Sequence, residues 1–409
     1  MRNAGILPWA AWIAAALFFF YGFLLRVSPS VMVGELMRDF AVGAAILGNL
    51  SAVYFYLYAS LQVPVGLLYD RFGTRRLLTV ATLFCAGGAA LFAAAPTLEI
   101  AYLGRALIGA GAAFSFVGAA TIAARDLPAR HYATLVGTLQ LIGMLGAFGG
   151  QGPMALTVDA LGWRGAMFAA TTLGVALALA LWLLVRDPPR VAQAGGLPLL
   201  AGLKMVLRNP QSWLIALYGA AATAPMLSFA GLWGVPWLVQ VHGFDRPTAA
   251  SATSMVFLGL GFGSLTFGIL SDRLGRRKPV MAVTMSVATI LYAFVVFGPA
   301  LGPAGYHVVL FFGGFFLGGL ACSYPLGREV NDPRATGASL GFVNMAVTGS
   351  GAVFQPLLGL LLDLNWQGAE VAGVRLYDGA AWTMALGVLP VFCLVGLIGV
   401  LFIREPRRG

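Results

Sequence analysis

One stretch of this chain occurs twice, and that doubling constrains the fold more than any other feature. Gly66-Leu67-Leu68-Tyr69-Asp70-Arg71-Phe72-Gly73-Thr74-Arg75-Arg76 returns as Gly268-Ile269-Leu270-Ser271-Asp272-Arg273-Leu274-Gly275-Arg276-Arg277-Lys278, about half a chain length further on in 409 residues. A repeat at fixed spacing sets the architecture before any local reading. Each copy follows a long apolar run and precedes another, so each is a short charged turn between two membrane-crossing helices. Two like halves in the same orientation are expected.

Hydrophobic residues make up 59% of the chain and charged residues 10%, and the mean hydropathy is +0.86. Soluble globular domains carry roughly 25% charged residues, so this is an integral membrane protein. A crossing helix needs about 20 apolar residues. Runs of that length, read between charged or Pro- and Gly-rich breaks, predict twelve spans: 8–33, 43–69, 77–95, 97–124, 133–157 and 165–186, then 211–239, 249–271, 279–299, 304–327, 335–362 and 379–403. The expected fold class is all-α, with twelve transmembrane helices in two parallel six-helix repeats. Residues 1–186 form the first bundle and 211–409 the second. Residues 187–210, with Asp187-Pro188-Pro189-Arg190 and Lys204, form a cytoplasmic linker.

A formal charge of +10 raises the question of nucleic acid or acidic partners, and its distribution answers it. With the N-terminus inside, nineteen of the 25 basic residues fall in cytoplasmic segments, four (Arg38, Arg164, Arg246 and Arg375) in outer segments, and two within the membrane. That bias is the positive-inside signature and puts both termini in the cytoplasm. No acidic partner is needed to explain it. The N-terminal apolar run, Ala4 to Leu25, is too long for a signal h-region and no small-residue cleavage site follows it, so it reads as a first span. Cys85, Cys322 and Cys393 lie far apart inside apolar runs, with neither metal spacing nor a disulfide framework. Neither a metal nor a cofactor is expected. Glycine, 54 residues in all, clusters inside the spans, as in Gly259-x-Gly261-x-Gly263, where small residues let helix backbones approach.

The doubled pattern, G-x-x-x-D-R-x-G-x-R-[RK], resembles the loop between the second and third helices of major facilitator superfamily transporters, and its return between the eighth and ninth is typical of the same family. The resemblance covers essentially the whole chain. It implies alternating access by rocking of residues 1–186 against 211–409, a small-molecule substrate, and a monomer in the bilayer. It also implies gating roles for Gly66, Asp70, Arg71, Gly73 and Arg75, and for Gly268, Asp272, Arg273, Gly275 and Arg276. Asp70 is expected to meet the start of the eleventh span near Ala335, and Asp272 the start of the fifth near Ala133. A carboxylate there meets the positive end of a helix dipole, which latches the cytoplasmic side shut. A plain topogenic basic loop would explain the arginines but not the Asp and Gly at fixed places.

Two arginines, Arg26 and Arg105, lie within spans. An arginine at membrane depth is costly and faces a polar cavity or a partner; otherwise it snorkels or bonds backbone carbonyls. In the family both helices line the central cavity, and Arg105-x-x-x-Gly109-x-Gly111 is similar to its fourth-helix pattern. Arg26 and Arg105 are both candidate substrate-binding residues, and the pair without mid-membrane acids points to an anion; for Arg26 a substrate or coupling role weighs evenly against a structural one, and Arg105 is the more structural of the two. All fifteen acidic residues fall in loops or near helix ends, so no mid-membrane carboxylate offers the usual proton relay. Glu35, Glu99 and Glu329 are the nearest candidates for coupling; a proton carried on a substrate acid, or uniport, would need none.

Embedded polar and aromatic residues outline a candidate pocket: Tyr21, Tyr54, Tyr58, Gln62, Gln140, Trp233, Trp237, Tyr324, Asn344 and Gln355. Tyr and Trp combine an apolar face with one hydrogen-bonding group, which suits a small organic molecule, although each can equally be packing or an interfacial anchor. The leading expectation is a secondary transporter importing a small anionic solute, possible proton coupling included. Efflux of lipophilic or cationic compounds by proton antiport is the alternative; antiporters of the family tend to carry Gly-Pro-x-x-Gly-Gly in the fifth helix, and here Gly149-Gly150-Gln151-Gly152-Pro153 stands instead. A non-transporting sensor or scaffold is an alternative of another class. No HExxH, P-loop or Gly-x-Ser-x-Gly arrangement points to an enzyme. Compact loops fit a bacterial cytoplasmic membrane.

Overall fold

The computed structural model describes residues 6–128, 131–187 and 199–405, leaving out the side chains of residues 63, 66, 67, 70, 133, 199 and 200. The described residues are all-α apart from one short hairpin. In the first part of the chain, α1 (Ile6–Val27), α2 (Val33–Asp39), α3 (Ala44–Phe72), α4 (Thr74–Ala94), α5 (Leu98–Ala112), α6 (Ser115–Asp126), α7 (Tyr132–Gly149) and α8 (Gly152–Leu184) follow one another. The second part holds α9 (Leu199–Arg208), α10 (Pro210–Ala224), α11 (Gly234–His242), α12 (Arg246–Leu274), α13 (Lys278–Phe297), α14 (Pro303–Leu317), α15 (Ser323–Glu329), α16 (Thr336–Leu364) and α17 (Gly379–Leu401). Strands β1 (Glu370–Val371) and β2 (Val374–Arg375) make the hairpin, with Ala372 and Gly373 in the left-handed region at its turn.

Among the described residues, eleven stretches are long and apolar enough to cross a membrane. One of them, Thr134–Leu184, runs 51 residues, more than twice the length one crossing requires. It is broken at Gly162, whose φ of 69° no helix accommodates, so it has room for the fifth and sixth expected spans. The expected linker is only partly described. Residues 188–198 lie outside the described residues, and Leu199–Arg208 is helical. Three helix starts are capped by side chains: Asn209, Asp245 and Asp378 accept hydrogen bonds from the N–H groups of Gln211, Thr248 and Ala381, donors that an uncapped helix leaves open.

Five expected spans are not single helices. The first passes from α1 through a 3-10 turn (Ser28–Val31) into α2; the fourth breaks between α5 and α6; the fifth breaks between α7 and α8 at Gly150 and Gln151; the seventh contains a π-helix, Pro225–Trp233, between α10 and α11; the tenth has a 3-10 turn, Gly318–Cys322, between α14 and α15. Apart from the fifth, they are the first of every three spans. Irregular backbone at membrane depth is tolerated only where protein or a cavity satisfies its polar groups, so these breaks mark where polar function is affordable.

The described residues cluster into two compact units. One comprises 6–42, 49–187 and 372–374, and the other 43–48, 199–371 and 375–405. Within the second, α12 and α14 touch backbone to backbone: a Cβ on Gly259 or Gly263 would overlap the carbonyl oxygen of Phe311 or Phe315. In the first, Gly146 meets the carbonyl of Phe20, and Gly109 that of Tyr54, in the same way. Apolar side chains also cover the outside of the helices; Val283, Ile290 and Phe297 of α13 are 59%, 66% and 62% exposed. Polarity therefore cannot orient these helices, and the small-residue faces do.

Candidate functional site

Arg26 stands in the last turn of α1, where the helix dipole favours a cation. Its guanidinium carbon lies 4.0 Å from the ring centroid of Phe23, 4.9 Å from Tyr58, 5.1 Å from Tyr54 and 5.7 Å from Phe55. The hydroxyls of Tyr54 and Tyr58 act on it as hydrogen-bond partners. The side chain is only 5% exposed. Its Nε has no hydrogen-bond partner among the described residues, and no described carboxylate forms a salt bridge with it. Aromatic faces attract a cation by roughly 2 kcal/mol when desolvated, far less than full removal of a charge from water costs.

Arg105, on α5, is equally buried, and its Nε likewise has no hydrogen-bond partner among the described residues; its terminal nitrogens are employed differently. One terminal nitrogen donates to the carbonyl of Leu25 at 2.8 Å; the other donates to Arg26 at 3.4 Å and to Ser51 on α3 at 3.2 Å. The carbonyls of Leu25 and Arg26 belong to the final turn of α1, where helical acceptors lack partners. Arg105 therefore caps α1 and ties it to α3. Gly109, one turn along α5, is what lets the backbone of α3 come this close.

Tyr54 and Tyr58 thus join Arg26, whereas Tyr21 does not. Its hydroxyl points to Gly174 on α8 and has no hydrogen-bond partner among the described residues. Gln62 lies further along α3, half-buried, and Gln140, on α7, is exposed and apart from this cluster.

In the second unit, the π-helix gathers another polar group. Trp233 donates its indole N–H to the carbonyl of Gln355 at 3.0 Å, and the Gln355 amide donates to the carbonyl of Leu227 at 2.7 Å. Ser228 Oγ and Gln355 Oε1 remain buried without a partner among the described residues. Tyr324 donates to Asn344 at 3.2 Å. Trp237 lies instead in an aromatic group with Phe229, His242 and Tyr306. Phe23, Phe55, Ser51 and Ser228 escape a reading of the sequence, since each looks like ordinary span filling; Pro225 at the head of the π-helix is the one local signal for Ser228.

The charged turns organise the helices that follow them. In the first unit, Asp187 accepts from the N–H groups of Thr74 at 2.7 Å and Arg75 at 3.1 Å, and Arg125 approaches it at 3.8 Å. In the second, Glu405 accepts from the N–H groups of Arg277 and Lys278, while the Arg277 guanidinium pairs with both Asp272 and Glu329 at 3.1 Å. Each turn is thus closed by an acid from the end of its own bundle, a pairing across more than a hundred residues that sequence spacing does not reveal. Gly73 and Gly275 take left-handed conformations at the turns, with φ of 84° and 64°. Arg71, Arg273 and Arg276 are exposed, Gly268 is half-buried inside α12, and Arg75 donates to the carbonyl of Trp182. The side chain of Asp70 and the surroundings of Gly66 lie outside the described residues. Among the coupling candidates, Glu99 is exposed in the first turn of α5 and Glu35 is half-buried in α2; Glu329 is held by Arg277.

A family model described as Major Facilitator Superfamily matches residues 11–353 and 226–409. The membrane sensor protein UhpC of Salmonella typhimurium is 26% identical over 401 residues, covering 87% of this chain and 85% of its own. The probable galactarate/D-glucarate transporter GudP of Escherichia coli is 23% identical, covering 94% and 93%. Among solved structures, a bacterial homologue of the human lysosomal transporter Spinster, inward-facing and unoccupied, superposes with a TM-score of 0.82 at 18% identity, over 98% of this chain and 97% of that one. The nucleoside transporter NupG gives 0.75 at 14% identity, over 96% and 100%.

Proposed function

The chain belongs to the Major Facilitator Superfamily, and on that premise we propose that it carries a small organic anion across the bacterial cytoplasmic membrane by alternating access. The direction is uptake, through twelve spans with both termini in the cytoplasm. Arg26 carries the reading. It is a buried cation whose Nε is unpartnered among the described residues, and a carboxylate or other anion would supply the missing counter-charge. An unpaired buried charge is expensive, so an anion that enters this cage offsets that cost. Tyr54 and Tyr58 orient the guanidinium and offer hydroxyls to the same ligand. Within the second unit, taken by itself, Trp233, Gln355, Ser228, Tyr324 and Asn344 are the neutral polar candidates. No Asp or Glu is among the described buried residues, which favours a proton riding on the substrate acid, or none, over an intramembrane carboxylate relay.

A sensor that binds without transporting is the second reading, favoured by the similarity to UhpC. The test is thermal stabilisation of the purified protein against monocarboxylates, aldarates, sugar phosphates, nucleosides and cationic drugs, repeated with Arg26→Ala. Acids should raise the Tm of the wild type and not of the variant. A wild type stabilised only by cations or neutral compounds, or a variant that keeps its response to acids, overturns the anion site. Uptake of the stabilising acid into proteoliposomes then separates carrier from sensor.

A further inference from the structure

The stretch between Asp187 and Asp245 contains no Asp or Glu, yet it carries Arg190, Lys204 and Arg208. By the distribution of Lys and Arg, its first part faces the cytoplasm. Helix α9 lies in that part, and only Asn209 separates it from the crossing stretch Pro210–His242. Asn209 is extended, at φ −90° and ψ 112°, and its side chain caps α10. The chain therefore turns there, and α9 takes its own direction at the level where the seventh span enters the lipid.

Within the second unit, α9 packs by one narrow face. Val206 is fully buried in a cluster with Ala216, Ala335 and Phe342, and a Cβ on Gly202 would touch that of Ala338 at 3.4 Å. At 3.6 residues per turn, Lys204 and Arg208 stand one turn apart on the opposite side, and both are exposed. Met205 and Leu207, also exposed, flank them. Trp213, 54% exposed, donates its indole N–H to the carbonyl of Leu207 at 2.9 Å and makes a T-shaped contact with Phe342. That bond occupies a carbonyl that the last turn of α9 leaves without a helical partner. It also fixes an exposed indole beside the exposed Leu207. Elsewhere in this unit Arg277 and Arg334 have carboxylate partners. Lys204 and Arg208 have none among the described residues.

We propose that α9 and Trp213 form a docking surface for acidic phospholipid in the inner leaflet. Lys204 and Arg208 meet the lipid phosphates, while Leu207 and the Trp213 indole enter the boundary between headgroups and acyl chains. A helix that carries cations and apolar side chains together on its free face lies in the interface plane, and indoles favour the same level. Two cations without a carboxylate partner complement a negatively charged leaflet, whereas a zwitterionic headgroup offers them no net charge. The surface is independent of the solute and of the direction in which it moves.

The test places a bimane fluorophore at Ala201→Cys, an exposed position on the free side of α9, the three native thiols being buried. The labelled full-length protein is reconstituted in vesicles of phosphatidylcholine and phosphatidylglycerol in equal parts, with bromine, a short-range quencher, on the acyl chains of one lipid or of the other. Brominated phosphatidylglycerol should quench more than brominated phosphatidylcholine. The preference should vanish in about 1 M salt, where the screening length is about 3 Å. Lys204→Gln and Arg208→Gln should each lower it about fivefold, and Lys204→Arg should keep it. Equal quenching by the two lipids, quenching by neither, or a preference that survives the double change to Gln overturns the surface. Should the Gln variants not fold, salt decides alone: a preference that stays undiminished in about 1 M salt overturns it as well.

Discussion

Replacing Arg105 by lysine separates the two buried arginines by role. Arg105 spans two helices because a guanidinium carries donors in a planar fork; its terminal nitrogens reach Leu25 and Arg26 on one side and Ser51 on the other. A lysine ammonium has one nitrogen and cannot keep both sides. The charge stays, so the substitution isolates bonding geometry. At about 1.5–3 kcal/mol for each hydrogen bond involving a charged group, the loss of one or two gives about 3 kcal/mol. A bundle of this size shifts by roughly 2–4 °C per kcal/mol, so the Tm should fall by about 6–12 °C. Affinity for a stabilising acid should change less than about threefold, because on this geometry both terminal nitrogens of Arg105 are taken by backbone carbonyls. Arg26→Gln should behave oppositely. It gives up cation–π attraction of roughly 2 kcal/mol but also removes a buried charge whose desolvation costs several kcal/mol. The Tm should therefore hold or rise while acid affinity is lost. Differential scanning fluorimetry in detergent, with and without the acid, reads both quantities. A Tm unmoved in Arg105→Lys together with a loss of affinity above about tenfold would refute the assignment and make Arg105 the ligand.

Other consequences can be checked on the same preparation. Gly263→Ala and Gly349→Ala are the same chemical change inside helices, each gaining about 1 kcal/mol of helix propensity. Gly349 has open space around it, whereas a methyl on Gly263 overlaps the Phe315 carbonyl. Overpacking costs about 1–3 kcal/mol, so Gly263→Ala should lower the Tm and Gly349→Ala raise it or leave it; equal shifts would sink the close-approach argument. Asp187→Ala removes the acceptor at the start of α4 and should cost about 1 kcal/mol, visible as faster hydrogen exchange at Thr74 and Arg75. Asp39 receives a hydrogen bond from the Trp163 indole at 2.9 Å and lies beside Arg38 and Arg164. Burial pushes its carboxyl upward, but those partners outweigh it and hold the group below the ordinary 3.8. A depressed carboxyl stabilises fully above that ordinary value and loses its contribution as pH falls through the folded one. The Tm of the wild type should accordingly approach that of Asp39→Asn on acidification, and parallel curves down to about pH 3 would contradict the contact.

The membrane class and the repeated turns were legible because each depends on local chemistry. Apolar runs of sufficient length have one environment available to them, and an Asp and Gly at fixed places in a charged turn report themselves wherever they occur. Arg26 and Arg105 were equally legible as anomalies, being charges inside apolar runs. Their division of labour was not. The fork of Arg105 is occupied by Leu25 and Ser51, residues without polar side chains at the contact or with one that takes no part in it. Backbone carbonyls leave no signature in a sequence. For the same reason the π-helix at Pro225–Trp233, the breaks in the first, fourth, fifth and tenth spans, and the capping of the turns by Asp187 and Glu405 appear only in the folded chain.

Lipid-facing and core-facing surfaces here are similarly apolar, so hydrophobic periodicity carries little information about which face of a helix packs inward. Sequence by itself determined that the chain crosses a membrane repeatedly in two like halves, and which charges stand out of place, since transfer of side chains from water to hydrocarbon decides both. Tertiary structure decided which glycines bring backbones together, which arginine is held by backbone carbonyls and which by aromatic rings, and that Asp363 reaches the start of α3. Those outcomes depend on distances of a few tenths of an ångström between segments far apart in the chain, and only the packed helices set them.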